Sequence, residues 1–249
     1  MKRILSLIGL FALVCTAYAQ HQTLEERIYA LGTDFWLGPG ALLTVKFVPT
    51  RMDTVNYENT DYVHVYGYMM STTEVSQGLW CKVMGENPST VADTALPVYN
   101  VSPEQAETFV HRLDSILLVG LRLPTFEEWT FAFGGGELSE HYLFSGSNNV
   151  GTVAWYKGNS KRKPHPGGQR VPNELGLYDM SGNVSELVKL GEETYTVLGG
   201  DYRSESGDCS LAVRNTLPQL APLPRTDSPV ANCGVRILFP YDTHLSLDD

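Results

Sequence analysis

The chain has 249 residues, 43% of them hydrophobic and 18% charged, with a formal net charge of −10. That apolar share suits one globular domain with its own core, and the acidic balance excludes a nucleic-acid binder, because nothing here neutralises a run of phosphates. A membrane-spanning helix needs about 20 apolar residues, and no stretch beyond the first turns of the chain comes close.

The N-terminus carries Lys2 and Arg3, an apolar run over 4–14 and then Ala17-Tyr18-Ala19, the small-x-small pattern of a signal-peptidase site. Residues 1–19 are therefore expected to be an export signal cleaved near Ala19, giving a secreted or periplasmic protein. Cys15 follows Ala12-Leu13-Val14, a poor match to the small residues that precede a lipidated cysteine. Loss of the two leader cations takes the formal charge from −10 to −12. Residues 20–43 read as an N-terminal extension in which Leu24, Ile28 and Leu31 line one side of a weakly amphipathic helix.

Strands are predicted over 44–48 and 62–66 from apolar, β-branched and alternating residues. Ser76 caps a short helix carrying Leu79, Trp80, Val83 and Met84, which Gly85 ends in the left-handed conformation. Ser102-Pro103-Glu104-Gln105 combines a capping box with proline at the first helical position. Ala106, Phe109, Val110, Leu113 and Leu117 then recur at helical spacing over 103–118. Thr125 and Glu128 form a second capping box on a helix that turns Trp129 and Ala132 inward and ends at Gly134-Gly135-Gly136. From there to Val197 the chain is rich in Gly, Asn, Ser and Pro, yet Trp155, Tyr156 and Tyr178 punctuate it, the mark of loops ordered by specific polar contacts. The domain is assigned to 44–240, with a tail over 241–249.

Three cysteines follow the leader. Cys81 sits in an apolar helical stretch where a buried thiol is the ordinary outcome, which makes Cys209 and Cys233 the plausible disulfide pair of an exported protein.

Five ordered motifs carry a resemblance. "STTEVSQGLWCKVMGENPS" (71–89), "RLPTFEEWTFAFGGG" (122–136), "PNELGLYDMSGNVSELV" (172–188), "VLGGDYRS" (197–204) and "CGVRILF" (233–239) together resemble the formylglycine-generating enzyme, or sulfatase-modifying factor, domain family. The resemblance implies a loop-rich α+β fold with little regular secondary structure, related to C-type lectins. Pro49-Thr50 stands where the family usually has a glycine pair, and Ser185 where it has a tryptophan.

In that family a calcium site uses the side chains matching Asp179 and Glu186 and the carbonyls matching Gly182 and Val184; the resemblance therefore implies a structural calcium ion here. The family's copper oxidase chemistry needs two thiolates after the GGS motif, because Cu(I) prefers soft ligands. Ser204 stands at the first of those positions and Cys209 is the one cysteine left in the segment. Copper enters only if a divergent oxidase survives, with Cys233 as the second thiol.

The six histidines are scattered without an i, i+4 pair, which gives no support to a clustered iron site. Ser181 in "DMSGN" lacks the G-x-S-x-G elbow. Arg236 is expected to hold the last strand through charge-assisted bonds to backbone or carboxylate. Arg203 either meets an acidic partner or offsets Asp201 and Glu205. The expected function is an exported, non-catalytic, calcium-stabilised domain that binds a polypeptide or cell-envelope component. The alternatives are a formylglycine-generating oxidase, or a lectin-like carbohydrate binder using Trp155 or Tyr202 as an exposed platform.

Overall fold

The computed structural model describes residues 32–57, 60–210, 222–241 and 243–246. The leader, Leu24, Ile28 and Leu31 of the extension, and the end of the tail lie outside the described residues.

Two small sheets and three main helices build the α+β domain. Strands β1 (Gly32–Trp36), β2 (Leu42–Tyr57), β3 (Thr60–Ser71) and β8 (Leu238–Pro240) form the first sheet in that order, and β9 (Thr243–Ser246) also pairs with β3. The second sheet runs β6 (Leu223–Pro224), β5 (Thr194–Leu198), β4 (Ser185–Lys189), β7 (Cys233–Gly234). The two strands read from sequence are thus parts of one long antiparallel ribbon. Its register shifts at Pro49/Arg51, where proline supplies no N–H to the ladder. Strand β1 pairs with the start of β2 and β9 with β3, so the first sheet extends beyond both edges of the 44–240 assignment.

The helices form where local chemistry places them. In α1 (Gln77–Met84), the Ser76 side chain accepts from the Leu79 N–H, and Gly85 closes the helix at φ +82°. Both capping boxes are made, on α2 (Pro103–Leu117) and on α3 (Phe126–Phe133). A fourth helix, α4 (Val150–Val153), is a single turn. The Trp80 and Phe109 rings stack at 4.7 Å and join α1 to α2. Ala106, Phe109, Val110 and Leu113 face the main core with Phe47, Leu79, Val235 and Ile237; each large side chain buried there contributes about 1.5–3 kcal/mol before entropy is counted.

A second core lies under α3, where Trp129, Ala132 and Phe133 meet Val48, Met70, Leu175, Leu177, Met180 and Val188. It seats the 172–188 motif against the helix and both sheets. The expected order of the loop-rich half therefore has a physical basis: its apolar residues insert into a core, and its polar ones bond to backbone.

Candidate functional site

The stretch 179–186 is a left-handed turn leading into β4. Asp179, Gly182 and Asn183 all have positive φ, at +56°, +80° and +60°. A Cβ on Gly182 would lie 2.4 Å from the Trp155 carbonyl oxygen, so only glycine fits that approach. The Asn183 N–H donates to that same carbonyl at 2.7 Å, and the Gly182 N–H donates to the Gly199 carbonyl at 2.9 Å.

At the end of the turn, Glu186 enters a buried network with Arg236; both are at most 1% exposed. Arg236 Nε donates to both Glu186 carboxylate oxygens at 3.0 Å, and its Nη2 donates to Oε1 at 2.8 Å. The Trp129 indole N–H donates to Oε2 at 2.6 Å. Nη1 donates to the Ser71 carbonyl at 2.6 Å, and Nη2 also donates to the Tyr178 carbonyl at 2.7 Å. Arg236 thus makes the bonds the sequence reading expected, to two backbone carbonyls and a carboxylate, but from the link between β7 and β8 and not from the last strand, β9. Burial works against its charge, but the Glu186 carboxylate outweighs burial and holds the guanidinium above its ordinary range.

Two more carboxyls share this interior. Burial and the neighbouring charges of Asp179 and Glu186 push Glu74 well above the usual carboxylate range. Burial pushes Asp179 up to about 6, against the N–H of Gly168, which donates to its Oδ2 at 2.7 Å.

The donor set that the resemblance assigns to calcium does not fit the ion as it stands. Glu186 already accepts on both oxygens from a cation and an indole, and Asp179 spends one oxygen on Gly168. Asp179 Oδ1 and Glu74 Oε2 are the carboxylate oxygens of this network without a hydrogen-bond partner, where calcium asks for six to eight oxygens. Among the described residues, no group of three or more His, Cys, Asp and Glu side chains is disposed to hold a metal ion.

The turn also pins two loops into a cleft. The Asn183 side chain accepts from the His165 N–H at 2.9 Å and donates to the His165 carbonyl at 3.1 Å, while its backbone carbonyl accepts from the Tyr202 N–H at 2.8 Å. The Ser160 hydroxyl donates to the Tyr202 carbonyl at 2.6 Å, and the Lys157 N–H donates to the Ser204 carbonyl at 3.0 Å. Between these loops Lys157, Arg162 and Arg203 line a cavity of about 340 Å³. Lys161 and Arg162 both take the left-handed backbone, at φ +58°, within an exposed basic run.

The cysteine segment is arranged for packing. The Ser204 hydroxyl accepts from the Asp201 N–H at 2.9 Å, inside a turn whose Asp201 carboxylate accepts from the N–H groups of Arg203 and Ser204. Cys209 is fully buried with Phe144 and Val153, its thiol directed toward the Glu205 carbonyl. Cys233 lies in the main core beside Ser185, its thiol directed toward the Gly234 carbonyl. Cys209 and Cys233 belong to different apolar clusters and are not joined to each other as the expected disulfide. Ser181 is buried too, its hydroxyl donating to the Cys209 carbonyl at 2.9 Å.

Neither aromatic named for carbohydrate stacking presents an open face. His165 stacks on Trp155 at 3.8 Å and the Arg170 guanidinium lies over its ring at 3.6 Å. Tyr202 is 3% exposed, set edge-on to Tyr99, with its hydroxyl donating to Asn232.

Sequence reasoning missed Glu74, Asn183, Ser160 and His165 as site-forming residues. Glu74 and Asn183 stand inside quoted motifs, but nothing in a motif tells which distant group a side chain will bond.

Comparison with known proteins agrees with this architecture. Residues 21–237 match the model of the Sulfatase-modifying factor enzyme 1-like domain. The chain is 32% identical to "Chaperone protein LppX" of Paenibacillus barcinonensis, over 45% of this chain and 58% of that protein's length. Among solved structures, Treponema denticola variable protein 1 superposes with a TM-score of 0.67 at 22% identity, covering 84% of this chain and 99% of that one. CarF, at 23% identity, and PvdO from Pseudomonas aeruginosa, at 15%, each give a TM-score of 0.59 over 84% of this chain, and 96% and 98% of their own. At these identities the solved structures establish the fold alone.

Proposed function

The chain belongs to the sulfatase-modifying factor enzyme 1-like domain family, and from that premise we propose that it is a binding domain which holds a polypeptide partner in the cleft between the 157–165 and 201–205 loops. The observation that carries this reading is the state of the former thiolate position. Ser204 has its oxygen engaged by the Asp201 N–H, and Cys209, the one sulfur in the described part of the segment, is fully buried against Phe144 and Val153. A serine hydroxyl and an enclosed thiol make a poor seat for a soft monovalent ion, whereas the cleft beside them is open, lined by Lys157, Arg162 and Arg203, and held by backbone hydrogen bonds. A relative named as a chaperone is in keeping with a polypeptide ligand. Export of the protein after cleavage near Ala19 belongs to the same proposal.

The test has two arms. Cu(I) presented as its bicinchoninate complex is expected to stay with the chelator when the full chain is added. Fluorescein-labelled, reduced and carboxamidomethylated α-lactalbumin, an extended polypeptide, is expected to gain anisotropy on mixing. Retention of one copper per chain, lost in Cys209→Ala, would return the oxidase; absence of any polypeptide binding would sink the binding reading.

A further inference from the structure

The cleft's charge runs against that of the molecule. The chain is acidic overall, yet Lys157, Lys161, Arg162 and Lys163 gather four of its 18 basic residues on one loop. Arg203 joins Lys157 and Arg162 around the cavity from the opposite side. Lys157 is paired with Glu205. Among the described residues, Arg162 and Arg203 have no ion-pair partner, and Arg203 is held with its guanidinium 5.3 Å from the Tyr202 ring. Two guanidinium forks and an ammonium thus converge on one small space, which has room for a few side chains and leaves the remainder of a ligand outside.

Resting on the polypeptide reading above, we infer that this cavity selects an acidic segment of its partner, taking carboxylates on Arg162 and Arg203. Planar forks suit carboxylates, which they bind through two parallel N–H···O bonds. The site already contains a carboxylate in the role: Glu205, whose side chain is 70% exposed, occupies the Lys157 ammonium from the rim and is displaced by the incoming acid. A polyphosphate chain is disfavoured by the net negative charge over the rest of the molecule, which repels a long polyanion but acts weakly on a short acidic segment through salt.

The test uses the full chain and labelled Gly/Ser peptides carrying glutamates, the same peptides with glutamines, and a heparin oligosaccharide, all followed by anisotropy. The glutamate peptide is expected to bind more tightly than its glutamine counterpart, and to weaken as salt is raised. Arg162→Gln with Arg203→Gln is expected to cost roughly tenfold or more in affinity, the scale of a close charge pair at an interface. Glu205→Gln, by releasing Lys157, is expected to strengthen binding, a gain that no unfolding variant produces. Lys82→Gln, on α1 at another exposed position, is the control and leaves affinity unchanged. Equal binding of glutamate and glutamine peptides, or no response to the arginine and Glu205 variants, overturns the inference while the polypeptide reading stands if α-lactalbumin binds. Heparin binding without peptide binding overturns it in favour of a polyanionic glycan.

Discussion

Replacing Glu186 by glutamine removes the carboxylate around which the link between β7 and β8 is tied. The native side chain receives Arg236 at 2.8–3.0 Å and Trp129 at 2.6 Å, with both partners fully enclosed. Glutamine keeps the shape but offers one acceptor oxygen and turns an N–H₂ toward groups that are themselves donors. Breaking a buried ion pair from one side costs about 3–5 kcal/mol. No cavity opens, because glutamine fills the same volume as glutamate. The loss is therefore expected at the lower end, about 3 kcal/mol. At about 2–4 °C per kcal/mol for a domain of this size, the melting temperature falls by about 6–12 °C. Urea denaturation followed by tryptophan fluorescence, in buffer containing a calcium chelator, measures it. A loss below about 1 kcal/mol, or one that appears only when calcium is supplied, would show that the guanidinium is not what the carboxylate serves.

Further outcomes follow from the same geometry. Calcium and EDTA are each expected to leave the wild-type melting temperature unchanged, since the Glu186 oxygens are already engaged; a calcium-dependent rise would restore the ion. Asp179 has its pKa raised from 3.8 to about 6, so the native state holds that proton more tightly than the unfolded chain; its contribution is complete below about pH 3.8 and is lost as pH rises through about 6. Asp179→Asn is therefore expected to match wild type in acid and exceed it in stability at neutral pH, read as the difference between two melting-versus-pH curves; a variant less stable at neutral pH contradicts the assignment. Asn183→Ala removes both bonds to His165 and is expected to cost about 2–4 kcal/mol and to speed tryptic cleavage at Lys161 and Arg162, seen by mass spectrometry. Native protein is expected to leave Cys209 and Cys233 unmodified by a thiol reagent and to expose both in guanidinium; recovery of a disulfide-linked peptide would reverse their placement.

What could be read from the sequence was what is local. Ser102 with Gln105 and Thr125 with Glu128 are capping boxes three residues wide, and both form as predicted. The family resemblance supplied the fold class, because five ordered motifs constrain the whole chain at once. Pairings over long separations were not legible. Glu186 and Arg236 are 50 residues apart, and each motif alone is compatible with an ion ligand or an ion pair. The disulfide expectation failed for the same reason: elimination left two cysteines, but burial put them in different cores. Strand β1 escaped notice because Gly32, Thr33 and Asp34 carry little apolar signal; its pairing with β2 defines it.

The central claim is that this scaffold binds without oxidising, and the most direct measurement is an aldehyde assay. The purified chain, supplied with copper and oxygen, is incubated with a cysteine-bearing sulfatase peptide, and the products are trapped with a hydrazide and weighed by mass spectrometry. The account predicts a peptide of unchanged mass and no hydrazone. Hydrazone formation that depends on the chain and disappears in Cys209→Ala would contradict it.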